Sequence, residues 1–242
     1  MLKQGLFDIK ENIKLNKSMY KMVLAGDASA ISAPGQFVNI KLDGFFLRRP
    51  ISVCDYSEND FTILYKVVGA GTEKMSEMKE GKLDILTGLG NGFDTSKSGQ
   101  FPVLIGGGAG VPPMYNLAKV LKDQGKTPTV IMGFNTKDEI YYLDEFNAVC
   151  DTIVTTADGS FGTKGFVTAA LENLNYTYTY SCGPEPMLKA IYDVSKTDGE
   201  FSFEERMGCG FGACMGCSCK TKYGNKRICK EGPVLCKEEI IW

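Results

Sequence analysis

Six of the nine cysteines lie in the C-terminal part of the chain, and their spacing could hold a metal cluster. Cys209, Cys214 and Cys217 follow the pattern C-x4-C-x2-C, which is the plant-type ligand spacing of [2Fe–2S] proteins. Glycines between these cysteines let the backbone wrap closely and turn its N–H groups toward the sulfurs. We expect Cys229 to be the fourth ligand, with Cys219 and Cys236 as the other candidates.

A structural zinc site is the alternative use of four of these cysteines. Zinc ribbons usually combine two C-x2-C knuckles, and this segment has only one, Cys214 to Cys217. The spacing therefore favours an iron–sulfur cluster.

The chain has no histidine, which excludes several kinds of site. Ser-His-Asp and Cys-His nucleophile pairs cannot form, and neither can Rieske or Cys2His2 metal sites. Any proton transfer would fall to Lys, Asp, Glu or Cys side chains with shifted pKa values. The 27 basic and 29 acidic residues give a net charge of −2, which does not predict nucleic-acid binding.

Two glycine-containing turns could bind a nucleotide. Gly108 and Gly110 follow the apolar stretch 103–105 and precede two prolines that suit a first helical turn. The turn lacks the G-x-G-x-x-G fingerprint, and no acidic residue follows directly in 133–135. An ordinary strand–helix turn stays equally open. Gly183 and Pro184 repeat the arrangement, and two such turns can line one crevice; Cys182 alone fits a small buried residue.

The segment Arg48-Arg49-Pro50-Ile51-Ser52 lies in a strand-like region. Its arginines could form a solvated patch, or an arginine could face a diphosphate with the serine hydroxyl near a ring nitrogen. Gly71 and Thr72 offer a second phosphate-binding turn at the start of a predicted helix, 72–78.

The elements that must position these residues change along the chain. We predict a multi-domain β plus α/β protein. Residues 1–98 read as short strands of an antiparallel β-barrel. Residues 99–200 read as a parallel α/β domain, with strands at 103–105, 129–134, 152–156 and 176–182 and helices at 137–147, 164–174 and 185–196. Residues 201–242 form a small cluster subdomain.

No targeting or membrane segment is visible in the sequence. The N-terminal residues lack an apolar core of the signal-peptide type, and the most apolar stretch, 103–114, is too short to span a bilayer. We expect a cytoplasmic protein, in which cysteines more often serve as ligands than form disulfides.

The order of these motifs resembles the ferredoxin–NADP reductase superfamily. With the segment Glu205–Cys217 and the stretch after Cys229, the chain is similar to one branch of it, the electron transfer subunits of class 1B dihydroorotate dehydrogenase. The resemblance implies FAD in the barrel, NAD in the α/β domain and a C-terminal [2Fe–2S] cluster. It also implies a heterotetramer with an FMN-containing subunit that oxidises dihydroorotate in pyrimidine biosynthesis.

The resemblance also assigns roles to residues that match the family's motifs. Cys182 would lie near the nicotinamide. Cys209, Cys214, Cys217 and Cys229 would be the cluster ligands. The remaining cofactor contacts would be Arg49, Pro50, Ile51, Ser52, Leu64, Tyr65, Lys66, Gly71 and Thr72 for FAD, and Gly108, Gly110, Gly183 and Pro184 for the nicotinamide dinucleotide.

Two other functions stay open. The same architecture would serve the small subunit of an NADH-dependent ferredoxin:NADP oxidoreductase or of a hydrogenase-type complex. A zinc-stabilised adaptor that binds nucleotide without redox chemistry is the second. Five basic residues near the cluster could form a docking face or a plain solvated loop; they are Lys220, Lys222, Lys226, Arg227 and Lys230.

Overall fold

The computed structural model describes residues 2–242, and its N-terminal part is a closed barrel of antiparallel strands. The strands are β1 (Lys3–Lys14), β2 (Met19–Ala25), β3 (Phe37–Ile40), β4 (Arg49–Tyr56), β5 (Asp60–Lys66) and β6 (Lys82–Leu89). They pair around the barrel in the order β1-β2-β5-β4-β3-β6. Helix α1 (Ala70–Glu77) follows β5 and packs its buried Met75 into the barrel core.

Alternation along β5 shows how the barrel wall serves two cores. Phe61, Ile63 and Tyr65 point into the barrel interior. Leu64, between them, packs in a second core that continues into the α/β part of the chain. Side chains of a strand alternate between its two faces, so the outer face of β5 is covered by the next part of the molecule.

The central part of the chain is a mostly parallel sheet with helices. Its strands are β7 (Pro102–Gly107), β8 (Thr129–Phe134), β9 (Asp151–Thr156), β10 (Thr163–Lys164), β11 (Tyr178–Cys182) and β12 (Gly199–Ser202). Its helices are α2 (Pro112–Asp123), α3 (Leu143–Val149), α4 (Val167–Leu171) and α5 (Glu185–Val194). The expected barrel followed by a parallel α/β sheet is confirmed.

The C-terminal residues contribute a ribbon and one more strand of the large sheet. β13 (Ser218–Thr221) and β14 (Gly224–Arg227) form an antiparallel hairpin. β15 (Val234–Cys236) then pairs with β12, the only antiparallel neighbours in the sheet order β10-β9-β8-β7-β11-β12-β15 among the residues that the structure describes. The C-terminal segment 201–242, which is predicted to hold the cluster, is therefore joined to the large sheet by backbone hydrogen bonds.

Helix α2 shows why the chain turns sharply after β7. Pro112 and Pro113 occupy its first turn, where a missing N–H costs no hydrogen bond. Met114, Leu117 and Leu121 lie on one face and are fully buried against the sheet. The helix ends at Asp123, and Gly125 follows with a φ of 75°, a conformation that favours glycine.

Two predicted helices are shorter or displaced in the structure. Over 137–147 the chain forms a single 3-10 turn at 137–139, and α3 begins only at Leu143. Tyr142 adopts a φ of 61° and packs its ring edge-on against Tyr115, so tertiary packing of the aromatic rings interrupts the helix. Over 164–174 only Val167–Leu171 is α-helical, because Lys164 pairs with β9 and Gly165 has a φ of 117°.

Within residues 2–242, none of the helices combines the length and apolar character needed to cross a membrane.

Candidate functional site

Cys209 and Cys214 form an outer pair in a loop whose backbone N–H groups point at sulfur. The N–H groups of Ala213 and Cys214 donate to Cys209 Sγ at 3.2 and 3.4 Å, and Cys209 N–H donates to Cys214 Sγ at 3.5 Å. Burial opposes ionisation of Cys209, but these donors and the N–H of Phe211 outweigh it and lower its pKa to about 6. The loop therefore stabilises a thiolate, the form that binds metal.

Cys217 and Cys229 form an inner pair beneath this loop. Both are buried, and Cys229 N–H donates to Cys217 Sγ at 3.4 Å. The β13–β14 hairpin returns the chain to this point, where Ile228 N–H donates to the Cys217 carbonyl at 3.1 Å. Burial and the neighbouring Cys217 raise the pKa of Cys229 to about 12, so without metal this thiol is protonated.

The four predicted ligands thus lie in two sulfur pairs. A [2Fe–2S] cluster has two irons that share four thiolates, and two pairs suit that demand. Among the residues that the structure describes, no three or more cysteine or acidic side chains gather around a single point as they would for one ion. The cluster assignment rests on the two sulfur pairs and on the spacing of the cysteines along the chain.

The two remaining C-terminal cysteines lie outside both pairs. Cys219, on β13, is half-buried against the core of the large sheet. Cys236, on β15, has its sulfur 3.7 Å from Lys97 Nζ and 4.0 Å from a Glu200 carboxylate oxygen. Each has a local contact that explains its position.

The predicted diphosphate contacts of the barrel come together at the start of α1. A Cβ at position 71 would lie 2.2 Å from Arg49 Nε, so the absence of a side chain on Gly71 lets the guanidinium reach the helix. Arg49 also stacks over the Phe45 ring at 4.7 Å. The Thr72 hydroxyl accepts from the N–H groups of Val68 and Gly69 and fixes this turn. A guanidinium beside a helix N-terminus suits a diphosphate.

The preceding arginine has a different environment. Arg48 donates to the backbone carbonyls of Asp84 at 3.0 Å and Asn39 at 3.3 Å and forms an ion pair with the Asp84 carboxylate at 3.0 Å. Arg48 therefore ties β3 to β6, while Arg49, which donates to the Leu47 carbonyl at 2.5 Å, is the better placed of the two to serve a ligand. The solvated-patch interpretation does not fit Arg48, whose side chain is 20% exposed and ion-paired.

The other predicted flavin contacts divide between side chains and backbone. Ile51 and Ser52 are half-buried on β4, beside Pro50. The side chains of Leu64 and Tyr65 point into the two cores, and the Tyr65 hydroxyl donates to Asn12 at 3.0 Å. Their contacts to a flavin would have to come from backbone atoms. Lys66, at the end of β5, lines the cleft described next.

A cleft of about 560 Å³ opens at the carboxyl ends of the parallel strands. β7 is central to the sheet, with β8 on one side and β11 on the other. The strand order therefore reverses at β7, and open α/β sheets bind ligands in the crevice at such a reversal. The lining residues come from the ends of these strands and from α4 and α5; they are Gly107, Gly108, Ala109, Gly133, Phe134, Asn135, Thr155, Val167, Pro184, Pro186 and Met187, among others.

The predicted dinucleotide residues fall into two groups. Gly108 and Pro184 line the cleft, and the Tyr141 hydroxyl donates to the Gly108 carbonyl at 2.7 Å. Gly110 lies behind them, where a Cβ would be 2.2 Å from the Cys182 carbonyl oxygen. Gly183 has a φ of 156° and packs against Met187. Gly110 and Gly183 thus bring the two turns into contact.

Cys182 ends β11 directly behind the cleft. Its side chain is 2% exposed and does not line the cleft in the structure. Burial raises its pKa to about 12, so it is a neutral thiol. A role as an ionised nucleophile is inconsistent with this environment, while proximity to a bound nicotinamide stays a prediction.

Among the cleft residues that sequence reasoning missed, two offer a ring surface and a carboxylate to a ligand. Phe166 lines the cleft with 74% of its surface exposed, an apolar surface available to a flat ring. The Glu139 carboxylate accepts from the Asn135 N–H at 3.1 Å. An acidic residue therefore does lie beside the end of β8, brought back by the 3-10 turn that replaced the predicted helix. Its spacing of four residues from Asn135 was the only available signal.

The five basic residues near the cluster are not equivalent. Lys226 forms an ion pair with Glu239, and Arg227 with Glu231. Arg227 also donates to the Gly212 carbonyl at 2.6 Å, which supports the loop 207–216, called the cluster loop below. The other three side chains are exposed; they are Lys220, Lys222 and Lys230.

Comparisons with known proteins agree with this geometry. Residues 204–241 match the model of the iron–sulfur cluster binding domain of dihydroorotate dehydrogenase B, and residues 104–193 match an oxidoreductase NAD-binding domain. The dihydroorotate dehydrogenase B (NAD+) electron transfer subunit of Fusobacterium nucleatum is 44% identical over 96% of both chains. This chain belongs to the family of dihydroorotate dehydrogenase B electron transfer subunits. The subunit of this name from Bacillus mycoides is 41% identical over 100% of this chain and 99% of its own.

Solved structures extend the agreement to the whole fold of this family member. A chain in the structure of an NADH-dependent reduced ferredoxin–NADP oxidoreductase superposes with a TM-score of 0.88 and 31% identity, covering 98% of this chain and 90% of its own. A ferredoxin–NADP+ reductase from Neisseria gonorrhoeae, with bound FAD and NADP, gives a TM-score of 0.66 at 18% identity, over 79% of this chain and 89% of its own. The reductase-like fold is thereby shown.

Proposed function

We propose that this chain takes electrons from the FMN of a dihydroorotate-oxidising catalytic subunit and delivers them to NAD+ in pyrimidine biosynthesis. One observation carries the proposal: the same barrel contacts both the loop with Cys209 and the dinucleotide cleft. Asn39 on β3 bonds the Cys209 carbonyl, while Lys66 on β5 lines the cleft. A flavin bound to this barrel could exchange electrons with a cluster held by the cysteines and with a nicotinamide in the cleft.

The chain's residues bind and orient rather than transfer protons. Arg49 and the first turn of α1 would hold the FAD diphosphate, and the turns at Gly108 and Pro184 would hold the dinucleotide. The four paired cysteines would hold the [2Fe–2S] cluster, which would supply electrons singly, and FAD, when bound, would collect two of them with a proton from solvent to supply a hydride for NAD+. The absence of histidine fits this division, because proton abstraction from dihydroorotate belongs to the catalytic subunit.

The proposed function also requires a partner subunit and a division of the chain by cofactor. Two copies of this chain would join two FMN-containing subunits in a heterotetramer. Residues 1–98 would bind FAD, 99–200 NAD and 201–242 the cluster. We place the complex in the cytoplasm, since a reducing compartment keeps nine cysteines available as thiols and cluster ligands.

Co-expression with an FMN-containing dihydroorotate dehydrogenase subunit tests the proposal. The purified complex should contain FAD, FMN, iron and sulfide, and should reduce NAD+ when dihydroorotate is added. The control is the catalytic subunit alone, which should oxidise dihydroorotate with an artificial acceptor but not with NAD+.

Other results would favour another function. A complete complex that reduces ferredoxin or NADP+ but does not couple dihydroorotate to NAD+ would indicate the oxidoreductase whose small subunit shares this fold. A colourless protein that carries zinc would indicate the adaptor.

A further inference from the structure

We propose that Asn39 is a positioning residue that holds the cluster loop against the flavin-binding strand and so sets the rate of electron transfer between them. The inference rests on the proposed function and concerns a residue that belongs to neither predicted ligand set. Asn39 lies on β3 and is 1% exposed. Its side-chain N–H donates to the Cys209 carbonyl at 3.2 Å.

The backbone of Asn39 is bound firmly to the strand that carries the flavin contacts. On β4 its register partner is Pro50, the second residue of the predicted flavin segment. On the other side it pairs with Leu86 of β6. Arg48 donates to its carbonyl and to Asp84, which fixes the same strands from outside. The side-chain amide of Asn39 therefore projects from a strand that is paired on both sides.

The cluster loop approaches this amide as closely as a backbone can. Gly210 follows the first predicted ligand, has a φ of 76°, and is buried. A Cβ at this position would lie 2.2 Å from the Asn39 side-chain nitrogen. Glycine thus allows the loop to rest on the amide, and the amide bonds the preceding peptide.

The other half of the amide has no partner. Asn39 Oδ1 is buried with no hydrogen bond in the structure, and leaving such an atom unpaired costs stability. Val38 and Ile40, its neighbours on β3, fill the barrel interior, so Asn39 lies on the opposite face of the strand, toward Cys209. A residue that only completed the barrel wall would be better apolar, so the contribution of Asn39 lies in the bond from its N–H to Cys209.

The distance between the loop and β4 matters because electron transfer slows steeply as donor and acceptor separate. Without the Asn39 bond, the segment around Cys209 and Gly210 loses its only side-chain hydrogen bond from the barrel among the described residues. The loop can then shift while the four sulfur ligands stay intact. Loss of Asn39 should slow transfer without loss of either cofactor.

Two variants separate positioning from structural support. Asn39→Asp keeps the size but loses the donor, and Asn39→Leu removes both the donor and the unpaired oxygen. The control is Thr87→Val, which removes another buried, unpaired oxygen from the barrel without touching the loop. The FAD- and cluster-loaded chain is reduced anaerobically with NADH, and flavin and cluster absorbance are followed separately.

Both Asn39 variants should retain iron, sulfide and FAD and should show wild-type flavin reduction by NADH. Their cluster reduction should slow by about fivefold or more, and backbone hydrogen exchange over 207–216 should accelerate. Asn39→Leu should do so without a lower urea midpoint, and Thr87→Val should match wild type in both rates. The proposal would be overturned if both Asn39 variants kept the wild-type rates of cluster reduction and of hydrogen exchange over 207–216. It would also be overturned if cluster reduction slowed only in proportion to a fall in the urea midpoint. Since NADH is the donor, failure of dihydroorotate coupling would contradict the proposed partner and leave this test valid.

Discussion

The two sides of the barrel use cysteine in opposite ways. On the cluster side, N–H groups converge on Cys209 and hold its pKa at about 6. On the sheet side, Cys182 is enclosed by the core, and burial raises its pKa to about 12. Backbone donors can stabilise a charge that burial alone would forbid. The difference separates these two thiols only; Cys229, a predicted ligand whose pKa burial and Cys217 raise to about 12, must lose its proton when the cluster binds.

The two sides also differ in how they are attached to the barrel. Asp55 on β4 accepts from Asn116 and Lys119 of α2 at 2.8 and 2.6 Å, which fixes the sheet by charge and by a shared core. The loop that carries Cys209 is irregular, and its side-chain hydrogen bond from the barrel, among the described residues, comes from Asn39. We infer that α2 is rigidly positioned against the barrel and that the loop around Cys209 depends on few contacts with it.

The largest expected effect is the loss of the cluster when the fourth predicted ligand, Cys229, is replaced. Cys229→Ser should lose most of the iron and sulfide, because the inner pair would lose one of its two thiolates. Cys219→Ser is the matched control and should keep the cluster. Visible absorbance and iron content measure both. A full cluster in Cys229→Ser with loss in Cys219→Ser would reverse the assignment.

The second prediction concerns the two thiols after the cluster has been removed. Alkylation of Cys209 should rise with pH through a midpoint of about 6, because only the thiolate reacts and its fraction grows as pH passes the pKa. Cys182 should stay nearly unreactive up to pH 9 in the folded chain and react once the chain is unfolded. Mass spectrometry of the labelled peptides measures both. Equal labelling of the two at pH 7 would contradict the comparison.

The third prediction concerns a substitution behind the cleft, at the end of β11. Cys182→Ala should slow NAD+ reduction by about tenfold, equivalent to about 1.4 kcal/mol, while FAD stays bound. The reason is the predicted position of this residue beside the nicotinamide. Steady-state rates with dihydroorotate in the complex and the flavin content of the variant provide the measurement. Unchanged turnover would reject the role.

The smallest effect concerns the attachment of the sheet. Asp55→Asn removes the ion pair with Lys119 and should cost about 1 kcal/mol of unfolding free energy. Asp8→Asn is the control, since it breaks an exposed pair with Lys82 at 3.4 Å and should cost less than about 0.5 kcal/mol. Urea titrations compare the two. Equal losses would show that the sheet-side contact is no stronger than an ordinary surface pair.

Much of the fold follows from local patterns in the sequence. Alternation over β5 and the buried face of α2 predict a strand and a helix because each pattern reflects a single partner surface. The helix predicted over 137–147 fails because Tyr142 turns to pack on Tyr115, a contact between distant segments. Such tertiary packing leaves no trace in local periodicity.

The cluster site was predictable for a different reason. Thiolate ligands must converge on one small centre, so their spacing along the chain is restricted and visible. Glu139, Phe166 and Asn39 were not predictable, because each acquires its role from a neighbour that only the folded chain supplies. Asn39 in particular reads as an unremarkable polar residue between Val38 and Ile40 until Gly210 is seen against it.

In the proposed function one chain connects nicotinamide to the cluster through the barrel. An anaerobic titration of the FAD- and cluster-loaded chain with NADH tests it, with flavin absorbance and the electron paramagnetic resonance signal of the reduced cluster recorded on the same sample. We predict that NADH reduces both centres. A flavin that is fully reduced while the cluster stays oxidised, in a sample whose cluster dithionite can reduce, would contradict it.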